Sequence, residues 1–196
     1  GSEVCGVIEA VGEDVAALTV GDRVVTDKAS GAYAEYCLAP ADFVAYVPDG
    51  VAPDAVASAL LKGMTAHYLL KSTYAVQQGD TVLMHAGAGG VGLVLDYPGS
   101  NAGDAQVFGD RIRELTDGNG VAAVYDGVGA STFDASLASL AVRGTLALFG
   151  AASGPVPPVD PQRLNAAGSV YLTRPNLAHY TRTPDEFSWR AGGLLT

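Results

Sequence analysis

The feature that most constrains this chain is the glycine run Gly87-Ala88-Gly89-Gly90-Val91-Gly92, which follows directly on the apolar segment 80–86 (DTVLMHA). Glycines at 87, 89 and 92 spell G-x-G-x-x-G. Placed after a strand, this spacing lets the first glycine make a tight turn, the next bring backbone N–H groups to a pyrophosphate, and the last seat a helix on the strand. A glycine-rich turn without a ligand is the alternative, and the preceding strand weighs for dinucleotide binding. A lone motif is weak evidence, so the rest of the chain has to be consistent with it.

The periodicity divides the chain. Residues 3–11 (EVCGVIEAV), 21–26 (GDRVVT) and 31–38 (GAYAEYCL) read as three strands of an all-β stretch. From Pro53 to about Leu70 the spacing becomes helical, with Asp54 in the first turn. Segments 121–126 (VAAVYD) and 144–149 (GTLALF) repeat the apolar strand pattern of 80–86. A helix lies between them, with Ser131 or Thr132 as N-cap and Phe133, Leu137 and Leu140 on its apolar stripe. Strand, helix and strand in that order predict a parallel sheet with right-handed crossovers. Residues 153–161 (SGPVPPVDP) are too rich in proline for a helix or a central strand. A further strand is expected at 169–175 (SVYLTRP), and helices at 104–116 and from Pro184 to the last residue.

Between Gly92 and that first helix the pattern departs from a full nucleotide-binding unit. Such a unit takes roughly 30 residues and carries a ribose-reading residue about 20 positions past the last glycine. Here Pro98, Gly99 and Gly103 interrupt any helix soon after the motif, and no second apolar strand precedes DAQVFGDRIRELT. No residue is assigned to the ribose.

Composition narrows the partners. With 48% hydrophobic and 16% charged residues the chain is not intrinsically disordered, and its net charge of −10 opposes nucleic acid or an anionic membrane. No apolar run reaches the roughly 20 residues of a membrane span, and no signal pattern opens the chain. Two cysteines, Cys5 and Cys37, make neither a disulfide framework nor a metal-gathering pair. A cytoplasmic protein is expected. The chain opens directly on strand character, so its front is expected to be missing.

The segments GSEVCGVIEAVG, VGDRVV, GAYAEYCLAPADF, LLKGMTAHYLL, QQGDTVLMHAGAGGVGL, VYDGVGASTFDASL, RGTLALFGAASGPVPPVD and GSVYLTRP together resemble the quinone oxidoreductase (zeta-crystallin-like) branch of the medium-chain dehydrogenase/reductases. The resemblance runs in order over most of the 196 residues. It implies an α/β protein with a Rossmann-like parallel sheet and a partial GroES-like β-domain, drawn as a catalytic domain over 1–70, a cofactor domain over 71–183 shortened after residue 93, and a truncated C-terminal helix over 184–196. It further implies NADPH as hydride donor, a quinone or enone acceptor, and a homodimer through the strand 169–175. Zinc-dependent relatives carry a histidine where Ser2 stands and a four-cysteine loop, so no metal is expected.

The resemblance places Gly87, Gly89, Gly90, Val91 and Gly92 at the pyrophosphate. Gly127 and Val128 after one strand, and Phe149, Gly150 and Ser153 after the next, stand at the carboxyl edge where such sheets bind ligands. Thr65 matches a threonine near the nicotinamide and equally suits an ordinary mid-helix residue. Tyr33 matches an aromatic near the acceptor, with a purely structural hydroxyl as the alternative. His67 and His85 read as satisfied core or rim histidines, and Asp126 as a turn former. The shortened cofactor stretch leaves a second function open, a catalytically silent dinucleotide-binding or dimerising fragment.

Overall fold

The computed structural model describes residues 1–86, 95–96 and 102–195. The chain divides into two compact units, one made of Gly1–Ser72 with Leu177–Thr196 and the other of Thr73–Asn176. The sequence drew the second domain to residue 183. Leu177 instead packs against the core of the first unit, which claims everything after it.

In the first unit, strands β1 (Val4–Val7), β2 (Arg23–Thr26) and β3 (Ala45–Tyr46) form an antiparallel sheet in that order, with Cys5 opposite Val25 and Val24 opposite Tyr46. Residues 31–38 are not the third strand. They run as bends and turns with one isolated bridge, Ser30 to Leu38. The reason is burial. Tyr33, Tyr36 and Leu38 are all exposed, so the alternation in this segment has no covered face to pack on.

Helix α1 (Pro53–Tyr68) starts with proline at its first turn and Asp54 beside it, both favourable at a helix N-terminus. Val56, Leu60, Met64 and Tyr68 recur every fourth residue and are buried. Val56, Leu60 and Met64 meet Val25, Val47 and two residues of the C-terminal helix α6 (Pro184–Leu195), Phe187 and Ala191, in one core. The start of α6 is a capping box: Glu186 Oε2 accepts from the Thr183 N–H at 3.3 Å, and Thr183 Oγ1 accepts from the Glu186 N–H at 3.2 Å. The short helix α5 (Leu177–Tyr180) lies just before it and stacks Tyr180 on Tyr68, with centroids 4.5 Å apart.

Arg190 ties α6 to α1. It is 3% exposed, and a buried guanidinium needs acceptors for its five N–H groups. Nε donates to the Tyr180 carbonyl at 2.6 Å, and the terminal nitrogens reach His67 Nδ1 and Ser72 Oγ at 3.2 Å. The cation also lies 4.8 Å from the Trp189 ring centroid and 5.4 Å from that of Tyr180. Because guanidinium only donates, His67 must offer Nδ1 as an acceptor.

The second unit is a four-stranded parallel sheet. Its strands β4 (Val82–Met84), β5 (Val121–Asp126), β6 (Leu140–Leu148) and β7 (Tyr171–Thr173) stand in chain order, with Leu83 beside Val124 and Leu146 beside Leu172. The intervening helices are α2 (Ala102–Glu114), α3 (Phe133–Ser139) and α4 (Pro161–Ala166). Val121, Ala123, Val124 and Tyr125 are all buried, which is why β5 reads as an unbroken apolar run. Ile112, Phe133, Leu137, Leu146 and Val170 complete the core around it. Helix α4 was unforeseen. Pro161 opens it and Asp160 caps it, accepting from the Gln162 N–H at 2.9 Å. Among the described residues no helix is long and apolar enough to cross a membrane.

The Arg190 network yields a pH prediction. Desolvation first, then the charges of Arg190 and Lys71, hold the His67 imidazole below its usual pKa of 6.5. In that window the unfolded chain binds the extra proton, so stability rises with pH. It is fully present above pH 6.5 and is lost as pH falls below that value. Thermal unfolding followed at pH 7.5 and pH 5 should give the lower Tm in acid, and His67→Gln, which keeps an acceptor for Arg190, should reduce the difference.

Candidate functional site

At the carboxyl end of β5 stands Asp126, with 0% of its surface exposed. A buried carboxylate is tolerated only when its lone pairs are filled. Here they are: Oδ1 accepts from the N–H groups of Val128 and Gly129 at 2.8 and 3.0 Å, and the Thr132 hydroxyl lies 3.0 and 2.8 Å from the two oxygens. The Ser136 hydroxyl donates to Oδ2 at 2.7 Å. Thr132 is thus the residue before α3, but its side chain serves the carboxylate instead of capping the helix.

The network continues into β4. His85 Nε2 lies 2.9 Å from Ser136 Oγ, and since the serine proton is committed to Asp126, the network assigns the N–H to the histidine nitrogen. His85 is 6% exposed; burial pushes its pKa down, and the Asp126 charge pulls it partly back. Its ring also faces Phe108 of α2, centroids 6.4 Å apart, and its main-chain N–H donates to the Tyr125 carbonyl at 3.0 Å. The next residue, Ala86, has φ +60°, so the strand ends there in a left-handed turn.

The turn after β6 is zipped to the turn after β5. The N–H groups of Phe149 and Gly150 donate to the Asp126 carbonyl at 2.9 and 3.2 Å, and the Ser153 N–H and hydroxyl both donate to the Val128 carbonyl, at 2.7 and 2.8 Å. Ser153 Oγ in turn accepts from the Ser131 N–H at 3.0 Å. Gly150 has to be glycine, because a Cβ would collide with the Gly127 backbone. Gly129 has φ +97°, and a Cβ there would stand 2.7 Å from the Gly154 carbonyl oxygen. The result is an edge with the Phe149 ring beside Gly127 and no side chain rising from either Gly127 or Gly150.

Five of the residues singled out from sequence, Gly127, Val128, Phe149, Gly150 and Ser153, therefore meet in one interlocked edge. Gly87, Gly89, Gly90, Val91 and Gly92 lie outside the described residues. Tyr33 and Thr65 belong to the first unit. Tyr33 is 95% exposed and lies against Gly1, while Thr65 sits part-buried in α1. That unit also holds an open cavity of about 870 Å³ beside β1 and β2, lined by Cys5, Val7, Leu18, Val24, Tyr36 and Cys37 among others. Among the described residues no three His, Cys, Asp or Glu side chains gather as metal ligands.

The sequence reads His85 as a satisfied core or rim histidine, and it lies in the core, bonded to Ser136. Sequence reasoning named Thr132 only as a candidate helix cap and missed Ser136. The signal was the i, i+4 spacing of two hydroxyls at the start of a helix that comes next after a strand ending in aspartate.

The combination of an antiparallel β unit with a parallel α/β unit, whose first strand runs into a glycine motif, defines a dehydrogenase/reductase of the two-domain, Rossmann-containing kind. Comparison with known proteins agrees. Residues 1–49 match the alcohol dehydrogenase GroES-like domain and residues 55–185 the zinc-binding dehydrogenase family. The quinone oxidoreductases of Pseudomonas aeruginosa and Salmonella typhimurium are 37% and 39% identical, each over all of this chain and 69% or 68% of the relative. A mycobacterial protein solved in complex with NADPH is 62% identical over 99% of this chain and 69% of its own, with a TM-score of 0.91. The quinone oxidoreductase of Escherichia coli, also solved with NADPH, is 33% identical over all of this chain and 68% of its own, with a TM-score of 0.84. The chain belongs to the quinone oxidoreductase branch of the medium-chain dehydrogenase/reductase superfamily. The alignment to the Pseudomonas protein runs over 229 positions, 33 more than this chain possesses.

The tight contact at Gly150 gives a second prediction. Gly150→Ala should destabilise the parallel unit by about 1–3 kcal/mol, the usual range for overpacking a closed contact. A fall in Tm would register it; an unchanged Tm would mean that the two turns separate without cost.

Proposed function

We propose that this chain is an NADPH-dependent reductase that passes hydride to a quinone or enone without a metal. The observation that carries the reading is the β5–β6 edge. It joins the half-buried residues Gly127, Val128, Phe149 and Gly150 into one edge at the carboxyl ends of two adjacent parallel strands, next to the strand that leads to the glycine motif. The carboxyl edge of a parallel α/β sheet is where such folds bind their ligands, so the residues present fit the nicotinamide end of the cofactor. When bound, NADPH supplies the hydride, and the protein supplies position and shielding.

The residues divide the work. Backbone N–H groups at Gly89, Gly90 and Val91, with Gly87 and Gly92 allowing the turn, hold the pyrophosphate. Val128 and Ser153 would support the nicotinamide ring, and by the family resemblance Thr65 would serve the nicotinamide and the Tyr33 hydroxyl would donate to an acceptor carbonyl. Reduction of a quinone takes its proton from water. Independence of zinc is supported by Ser2, standing where zinc-dependent relatives carry histidine, and by a chain with two cysteines. A homodimer forms through β7, the last strand of the sheet, whose Tyr171 is 63% exposed. The acidic chain works in the cytoplasm.

One observation favours a second reading, a silent dinucleotide-binding or dimerising fragment. Only seventeen residues separate the end of β4 at Met84 from the start of α2 at Ala102, too few for the helix, strand and helix that complete a doubly wound sheet. We place the 33 unmatched positions there.

Fluorescence titration of the purified chain with NADPH, and with NADH as comparator, decides between the two. Micromolar NADPH binding followed by turnover of p-benzoquinone that survives a chelator is the expected result; binding without turnover selects the silent fragment. In the active case Tyr33→Phe should raise the quinone KM roughly three- to tenfold, the loss of one hydrogen bond, and leave the NADPH Kd unchanged.

A further inference from the structure

The array His85, Ser136 and Asp126 brings together the three residue types of a hydrolase triad, yet it is wired the other way. In a nucleophilic triad the serine proton passes to histidine and the carboxylate orients the ring. Here the serine hydroxyl donates to the carboxylate at 2.7 Å and the histidine N–H donates to the serine oxygen at 2.9 Å. Ser136 is also 0% exposed, so no substrate reaches it. Acyl transfer is excluded by direction and by burial.

What the array does touch is two turns. Asp126 receives the N–H groups of Val128 and Gly129, which sets the turn after β5. Through Ser136 it also holds His85, the residue just before the left-handed Ala86 and the glycine motif. Ser136 lies on α3, so the link crosses from β5 through a helix to β4 without passing along the sheet. The same aspartate's carbonyl anchors Phe149 and Gly150 after β6.

We infer that Ser136 and His85 are positioning residues: the buried Asp126–Ser136–His85 chain fixes the exit of β4 at His85 and Ala86 in register with the ligand-facing turns after β5 and β6. This rests on the cofactor site proposed above. The geometry gives a strand of only three residues a defined exit. Val82–Met84 has few ladder bonds of its own, and the side-chain chain adds a fixed point one residue beyond them.

The test uses the full chain with three substitutions. Ser136→Ala removes the link, and His85→Phe keeps a ring against Phe108 but loses the N–H. His85→Gln retains an N–H donor. Two readouts are followed, the NADPH Kd by fluorescence and backbone hydrogen exchange of the cofactor-free protein. Ser136→Ala and His85→Phe should each weaken NADPH binding about tenfold, the scale of one buried hydrogen bond, with the double variant no worse than either alone. His85→Gln should recover binding to within about threefold of the parent. Exchange should rise in the peptide 81–86 while 140–148 stays protected. A uniform rise across the unit, or additive losses in the double variant, would overturn the inference and leave a plain core contact. If the parent itself binds no NADPH, the proposed function fails, and the exchange pattern alone decides whether the chain positions β4.

Discussion

A carboxylate with no exposed surface, Asp126, is the constraint on which the parallel unit turns. Burying it demands donors on several sides, and the chain supplies them from the loop that follows, from the hydroxyls of Thr132 before α3 and Ser136 within it and, one step removed, from His85. Because an unmatched buried charge is far more costly than an unmatched surface one, these partners are not free to drift separately. The ends of β4, β5 and β6 are therefore set by one satisfied group.

The antiparallel unit applies the same logic with the opposite sign. Arg190 is a buried cation whose partners are neutral acceptors, a carbonyl, a hydroxyl and an imidazole, with aromatic faces of Trp189 and Tyr180 around it. No carboxylate is hydrogen-bonded to it among the described residues, so the arrangement depends on His67 staying neutral. In both units the apolar core supplies bulk burial, while a single ion selects which helix face and which turn are used.

What could be read from the sequence follows from how local each signal is. β5 was legible residue for residue because both its faces are buried, leaving an apolar run with no polar interruption. Helix α1 was legible because four core residues recur at the helical period behind a proline start. Residues 31–38 misled because alternation alone does not make a strand; a covered face does, and Tyr33, Tyr36 and Leu38 have none. Helix α4 was hidden by the prolines before it, although Asp160-Pro161 is itself a start signal. At the site, the glycines 127 and 150 were found from their place at strand ends. Ser136 was not, because a serine inside a short helix carries no local mark of a partner 51 residues earlier in the chain.

The sheet order adds a step to the functional argument. Doubly wound sheets bind ligands where strand order reverses, and the four described strands β4 to β7 run in one direction only, with α2 crossing straight from β4 to its neighbour β5. Among the described residues, the bonds that shape the turns after β5 and β6 run among residues 85, 125–136 and 149–154. The shape of this edge is thus set by bonds local to the ends of β4, β5 and β6.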